Sequence, residues 1–185
     1  MDEPIRSLED IWPLQAELNR RAGFDTLELG RRLRASLEAG GPSEQEAGQA
    51  GPADPKTLRH HGPAAQKAAG APQQEARLAA GRALKNYLDA LAAECHELQE
   101  CLSWKHWYKE ARQGRQHELR DVQNARVEAV DMLFFWISIC QLLDLQPADV
   151  YRLYAAKLGI NHRRQDEDRS QAQHGQHEDE NRGVV

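Results

Sequence analysis

Apolar residues recur at steps of three and four along two long stretches of this chain, and no stretch shows a convincing period of two. Leu84, Tyr87, Leu88, Leu91, Cys95, Leu98 and Leu102 form one stripe; Val122, Val130, Leu133, Ile137 and Cys140 form another. On a helix this spacing collects side chains on one face, which must be buried against a partner element. The pattern predicts a long helix from about Glu75 and a second from about Glu118 to Asp144, packed as in an all-α helical bundle. The second half of the later helix is apolar nearly all round, so burial on several sides is expected there.

Shorter helices flank this pair. Ser7-Leu-Glu-Asp10 offers a cap and Pro13 suits a first turn, giving a helix through Ile11, Leu14 and Leu18 that ends near Gly23. Another starts at Thr26, with Leu29, Leu33 and Leu37 on one face and Gly40-Gly41 as its stop. Pro147 opens a last helix, whose Val150, Leu153, Tyr154 and Leu158 share a face until Gly159 ends it. Residues 40–74 concentrate Gly, Pro and Ala and carry almost no large apolar side chain, so they read as a flexible insertion or linker. It separates the N-terminal helices, 1–39, from the main helical segment, 75–162. Residues 163–185 read as a polar tail without periodicity, expected to be disordered beyond a start that touches phosphate.

The 24 basic and 29 acidic residues are interleaved, with a net charge of −5, which argues against a nucleic-acid polymer as the partner. No run approaches the roughly 20 apolar residues of a membrane span, and Met1-Asp-Glu-Pro-Ile5 resembles neither a signal nor a transit peptide. The expectation is a cytoplasmic protein without membrane contact. Cys95, Cys101 and Cys140 lack disulfide or zinc spacing and read as reduced core residues.

Chemistry enters with four carboxylates. Glu94 and Glu97 are three residues apart, as are Glu128 and Asp131, so each helix presents two acidic side chains on one face, bordering its apolar stripe. Packing the stripes together would gather all four into a self-repelling cluster that becomes favourable once cations neutralise it. Oxygen ligands without Cys or His at ligand spacing favour Mg²⁺ or Mn²⁺, and the chain contains no Glu-x-x-His of the di-iron kind. Two solvated helix faces are the competing reading of the same spacing.

Around these pairs stand Glu94-Cys-His-Glu97-Leu98, Trp104-Lys-His-Trp107, Glu128-Ala-Val-Asp131 and Lys157-Leu-Gly-Ile-Asn161-His-Arg-Arg-Gln-Asp166. In order and spacing they resemble the dimeric all-α dUTPase family, related to the MazG-type NTP pyrophosphatases, over about residues 7–38 and 76–166. Leu14-Gln15-Ala-Glu-Leu18-Asn19 resembles that family's first-helix motif.

The resemblance implies a homodimer that hydrolyses dUTP to dUMP and pyrophosphate, with dUDP as a further candidate substrate. Glu94, Glu97, Glu128 and Asp131 would then hold Mg²⁺, with Glu97 the candidate to orient the attacking water. Gln15 and Asn19 would read a uracil edge, since amides supply both donors and acceptors. Trp104 or Trp107 would stack on the base or close the pocket; Lys105, Lys157 and Arg164 are candidate phosphate contacts, and Asn161 a nucleotide contact. The chain departs from the family pattern at Arg163, where an aromatic is common, and in Asp166-Glu-Asp-Arg-Ser170, where members carry His-Gly-Tyr and a lysine. Two alternatives remain: a broader MazG-like pyrophosphatase, and a helical regulatory protein that binds nucleotide without turnover. His174, His177 and Glu178 of the tail are read as solvent-exposed and outside the site.

Overall fold

The computed structural model describes residues 5–39 and 63–166, so residues 40–62 of the insertion and the tail motif of His174, His177 and Glu178 lie outside the described residues. Among the described residues six helices follow one another: α1 (Leu8–Arg21), α2 (Thr26–Glu38), α3 (Pro63–Glu100), α4 (Lys109–Arg112), α5 (Val122–Leu142) and α6 (Pro147–Asp166). Extended pairing among the described residues is limited to one antiparallel bridge, Leu102 to Leu119, so the fold is all-α. No helix among them is long and apolar enough to cross a membrane.

The described residues divide into two compact units, those within 11–144 and those within 1–10 and 145–185. In the larger unit α3 packs chiefly on α5, and α2 packs on both. Caps set where two of these helices begin. Asp25 accepts a hydrogen bond from the Glu28 amide (2.9 Å) and Asp121 one from the Asn124 amide (2.9 Å), each satisfying a backbone donor that the first turn leaves unpaired.

The fully buried residues of α3 are Ala76, Ala80 and Ala83, a row of small residues one helical edge away from the leucine stripe. Leu88 and Cys95 are exposed, which corrects the expectation that both are core. Alanines carry little weight in a hydropathy pattern, yet small side chains are what let two helix axes approach closely. Cys101 and Cys140 are buried as expected, and burial pushes the Cys140 thiol up to about 11.

α5 meets the expectation of burial on several sides at its C-terminal end. Ile137, Ser138, Cys140, Gln141 and Leu142 are buried, whereas Val127, Val130, Phe134 and Trp136 are exposed. The five buried residues spread over about 200° of the helix, and Val127 and Val130 lie in the turns before them.

Helix ends also differ. α3 begins at Pro63, so residues 63–74 of the segment read as linker are helical; Ala is the best helix former, and Pro is suited to a first turn. α6 continues through Gly159 to Asp166. A helical Gly costs roughly 1 kcal/mol relative to Ala, which weakens a helix without stopping it. Asn161 accordingly sits inside α6, not past its end.

Candidate metal centre and adjoining cavity

α3 supplies Glu94 and α5 supplies Glu128 and Asp131, and one carboxylate oxygen from each lies within 4.8 Å of the others. Glu128 is buried; Glu94 and Asp131 are half-buried. Burial raises the Glu94 carboxyl above its ordinary value of 4.5, and the negative charges of Glu97, Asp131 and Glu128 raise it further. Three hard oxygen donors converging at this spacing suit a Mg²⁺ or Mn²⁺ ion, which would relieve that repulsion. Glu97, one turn beyond Glu94, is exposed and outside this grouping, though close enough for its charge to act on Glu94.

Sequence reasoning missed Asn124. Its Nδ2 donates to Glu128 Oε1 (2.9 Å) and approaches Cys101 Sγ (3.5 Å), while its own amide is held by Asp121. The side chain thereby fixes the direction of the most buried carboxylate, as outer-sphere partners of metal ligands do. The signal was the spacing of four between Asn124 and Glu128 on one helical face.

A folded-state pKa above the unfolded one means that the native protein holds this proton more tightly. The charge cluster therefore lowers stability at neutral pH, and the loss is relieved as pH falls through the raised value of Glu94. Mg²⁺ and protons compete for the same oxygens, so the Mg²⁺-induced rise in the thermal midpoint is expected to be larger at about pH 8 than at about pH 5. Calorimetric scans with and without Mg²⁺ at both values check this; a rise independent of pH would remove the cluster as the binding site.

Glu94 and Asp131 also line a cavity of about 560 Å³, whose walls include Gln15, Asn19, Tyr87 and Phe135. Its size falls in the roughly 300–1,000 Å³ range of small-molecule sites. Phe24, Tyr87 and Phe135 make an aromatic wall, with ring centroids 6.2 Å apart for the first pair and 6.4 Å for the second. Burial raises the Tyr87 phenol, and a hydrogen bond with Ser138 partly offsets the shift. These rings escaped sequence reasoning, which fixed on the tryptophans because they stood in a motif.

Trp104, Lys105 and Trp107 gather elsewhere. Trp104 Nε1 donates to Glu100 Oε1 (3.0 Å), Lys105 Nζ lies 5.4 Å from the ring centroids of both Trp104 and Tyr108, and Trp107 meets Trp104 edge-on at 5.9 Å. Trp104 and Lys105 line a separate hollow of about 30 Å³, and neither they nor Trp107 are on the wall of the large cavity. Lys157, Asn161 and Arg164 belong to α6 in the smaller unit, where Asn161 is exposed and Lys157 and Arg164 are half-buried.

No family model, curated protein or solved structure matches this chain. Fold and site stand on the chain's own residues.

Proposed function

We propose that this chain is a Mg²⁺-dependent dUTP diphosphatase of the all-α NTP pyrophosphatase type, releasing dUMP and pyrophosphate. One observation carries the reading: a single cavity is lined both by the carboxylates Glu94 and Asp131 and by the amides Gln15 and Asn19. Ser138, which bonds both amides, lies seven residues after Asp131, or roughly 10 Å along α5 at 1.5 Å per residue. That separation suits a nucleotide with its base among amides and aromatic rings and its phosphates at the carboxylates.

Bound Mg²⁺ would neutralise phosphate oxygens and lower the pKa of a coordinated water. Glu94, Glu128 and Asp131 hold it, Asn124 orients Glu128, and Glu97, outside the trio and exposed, is free to take a proton from water. Resemblance alone supports the contacts assigned to Trp104, Lys105, Trp107, Lys157, Asn161 and Arg164. The exposed Val127 and Val130, within about 60° of each other on α5, support a homodimer, since a second copy would cover them.

Pyrophosphate release from dUTP, dCTP, dTTP and UTP with Mg²⁺ tests the reading. A marked preference for dUTP is expected, and equal rates on dCTP, dTTP and dUTP would instead support a broader MazG-like pyrophosphatase. A second reading draws on the position of Glu97 outside the three-carboxylate grouping: nucleotide binding without turnover. Absence of release with both Mg²⁺ and Mn²⁺, together with retained binding, would favour it.

A further inference from the structure

The two amides that the sequence assigns to a uracil edge are committed inside the protein. Gln15 and Asn19 are each more than nine-tenths buried. Asn19 Nδ2 donates to Ser138 Oγ (3.0 Å), Thr26 Oγ1 (3.2 Å) and Gln141 Oε1 (3.4 Å), and its Oδ1 accepts from Gln15 Nε2 (3.1 Å). Gln15 Nε2 also donates to Ser138 Oγ (3.1 Å), and Gln141 anchors this buried relay on the Trp12 carbonyl (2.8 Å). Gln15 Oε1 has no partner, but it is buried from solvent and out of reach of a ligand in the cavity. The relay therefore ties α1, α2 and α5 together behind the cavity wall, and the edge of a base needs another partner.

Asn86 is placed differently. It belongs to the face of α3 that lines the cavity, with Ala83, Tyr87, Ala90 and Glu94. It is exposed and makes no hydrogen bond to any described residue, so both its donor and its acceptor are open to a ligand. The two helices set its level along the cavity. Glu94 meets Asp131 and the Tyr87 phenol meets Ser138. On each helix these two positions are seven residues apart, or roughly 10 Å, so α3 and α5 run antiparallel in step, with the carboxylates at one level and Tyr87 at the other. Asn86, next to Tyr87, stands at the level away from the metal ligands, where a nucleotide with its phosphates at the carboxylates puts its base.

We infer that Asn86 is a substrate-binding residue that pairs with the polar edge of the base, giving an Nδ2 proton to a ring carbonyl oxygen and accepting the neighbouring ring N–H at Oδ1. This rests on the reading above that the cavity holds a nucleotide. It moves the base contact from Gln15 and Asn19, which shape the wall, to a residue outside every motif of the family resemblance. A carboxylate in the same place would behave differently. It only accepts, so the carbonyl oxygens of uracil repel it, whereas the exocyclic amino group of cytosine donates to it.

Steady-state pyrophosphate release from dUTP and dCTP with Mg²⁺, by the full chain as wild type, Asn86→Asp and Asn86→Leu, tests the inference. Asn86→Asp is expected to lower the ratio of kcat/KM on dUTP to that on dCTP by about tenfold or more, the equivalent of roughly 1.4 kcal/mol. Asn86→Leu, which removes both contacts, should raise KM for dUTP by about tenfold and leave kcat within about twofold. Asn86 bonds no described residue, so both variants should keep the wild-type thermal midpoint and the Mg²⁺-induced shift. An unchanged ratio in Asn86→Asp, or an unchanged KM in Asn86→Leu, overturns the inference, while cleavage of dUTP by the wild type leaves the hydrolase reading in place. If the wild type cleaves neither nucleotide, both fall.

Discussion

Asp131→Asn is expected to reduce Mg²⁺-dependent pyrophosphate release by about 10³-fold while raising the thermal midpoint of the metal-free protein. The two effects have one origin. Asp131 is one of three carboxylates converging within 4.8 Å, and its negative charge is among the causes that hold Glu94 above its ordinary pKa. Removing that charge relieves repulsion where no ion is present and takes a ligand from the ion where one is. Several kcal/mol of charge stabilisation lost with the metal corresponds to about three decades in rate, at roughly 1.4 kcal/mol per decade. Steady-state rates, circular dichroism and thermal scans of the same preparation read all the consequences. Lost activity with an unchanged or lower metal-free midpoint would mean that Asp131 acts through packing.

Gly30→Ala should be the most damaging single substitution in the fold, costing about 3 kcal/mol or more. A Cβ at Gly30 would fall well inside contact distance of the Gln141 carbonyl oxygen, 3.1 Å from the Asp144 amide nitrogen and 3.2 Å from its Cα. All three are backbone atoms, so no rotamer change relieves the clash, and α2 would have to back away from the end of α5. Movement there also pulls on Gln141, which ties the amide network to the Trp12 carbonyl, and on the Arg34–Asp144 ion pair. Gly81→Ala is the control: nothing lies within 4 Å of its added Cβ, and exchanging a helical Gly for Ala stabilises by roughly 0.5–1 kcal/mol. Urea unfolding of both variants separates close approach from helix propensity. A loss below about 1 kcal/mol at Gly30 would show that the α2–α5 contact yields easily.

Helices were legible from spacing because periodicity and capping are local. Thr26 opens α2 where the sequence put it, and α1 runs to Arg21, just before Gly23. Glu94, Glu128 and Asp131 were legible as a group because three-residue spacing fixes their helix faces and the stripes fix which faces meet. Harder to read was how far each face would be buried. Leu88 and Cys95 point away from the core although they continue its stripe, because α3 meets its neighbours along Ala76, Ala80 and Ala83.

Sequence alone thus determined an all-α chain, its principal helices and a constellation of carboxylates carried by two of them, all properties of residues a few positions apart. Tertiary structure decided what those residues face. It set Glu97 apart from the other three carboxylates, brought in Asn124 as the support of Glu128, and put Phe24, Tyr87 and Phe135, not the tryptophans, on the cavity wall. It also turned Gln15 and Asn19 from two helix-face amides into the end of a buried relay through Ser138, Thr26 and Gln141. Those partners are more than a hundred residues away from Gln15 and Asn19 in the case of Ser138 and Gln141, and no local periodicity records which side chains distant helices bring together.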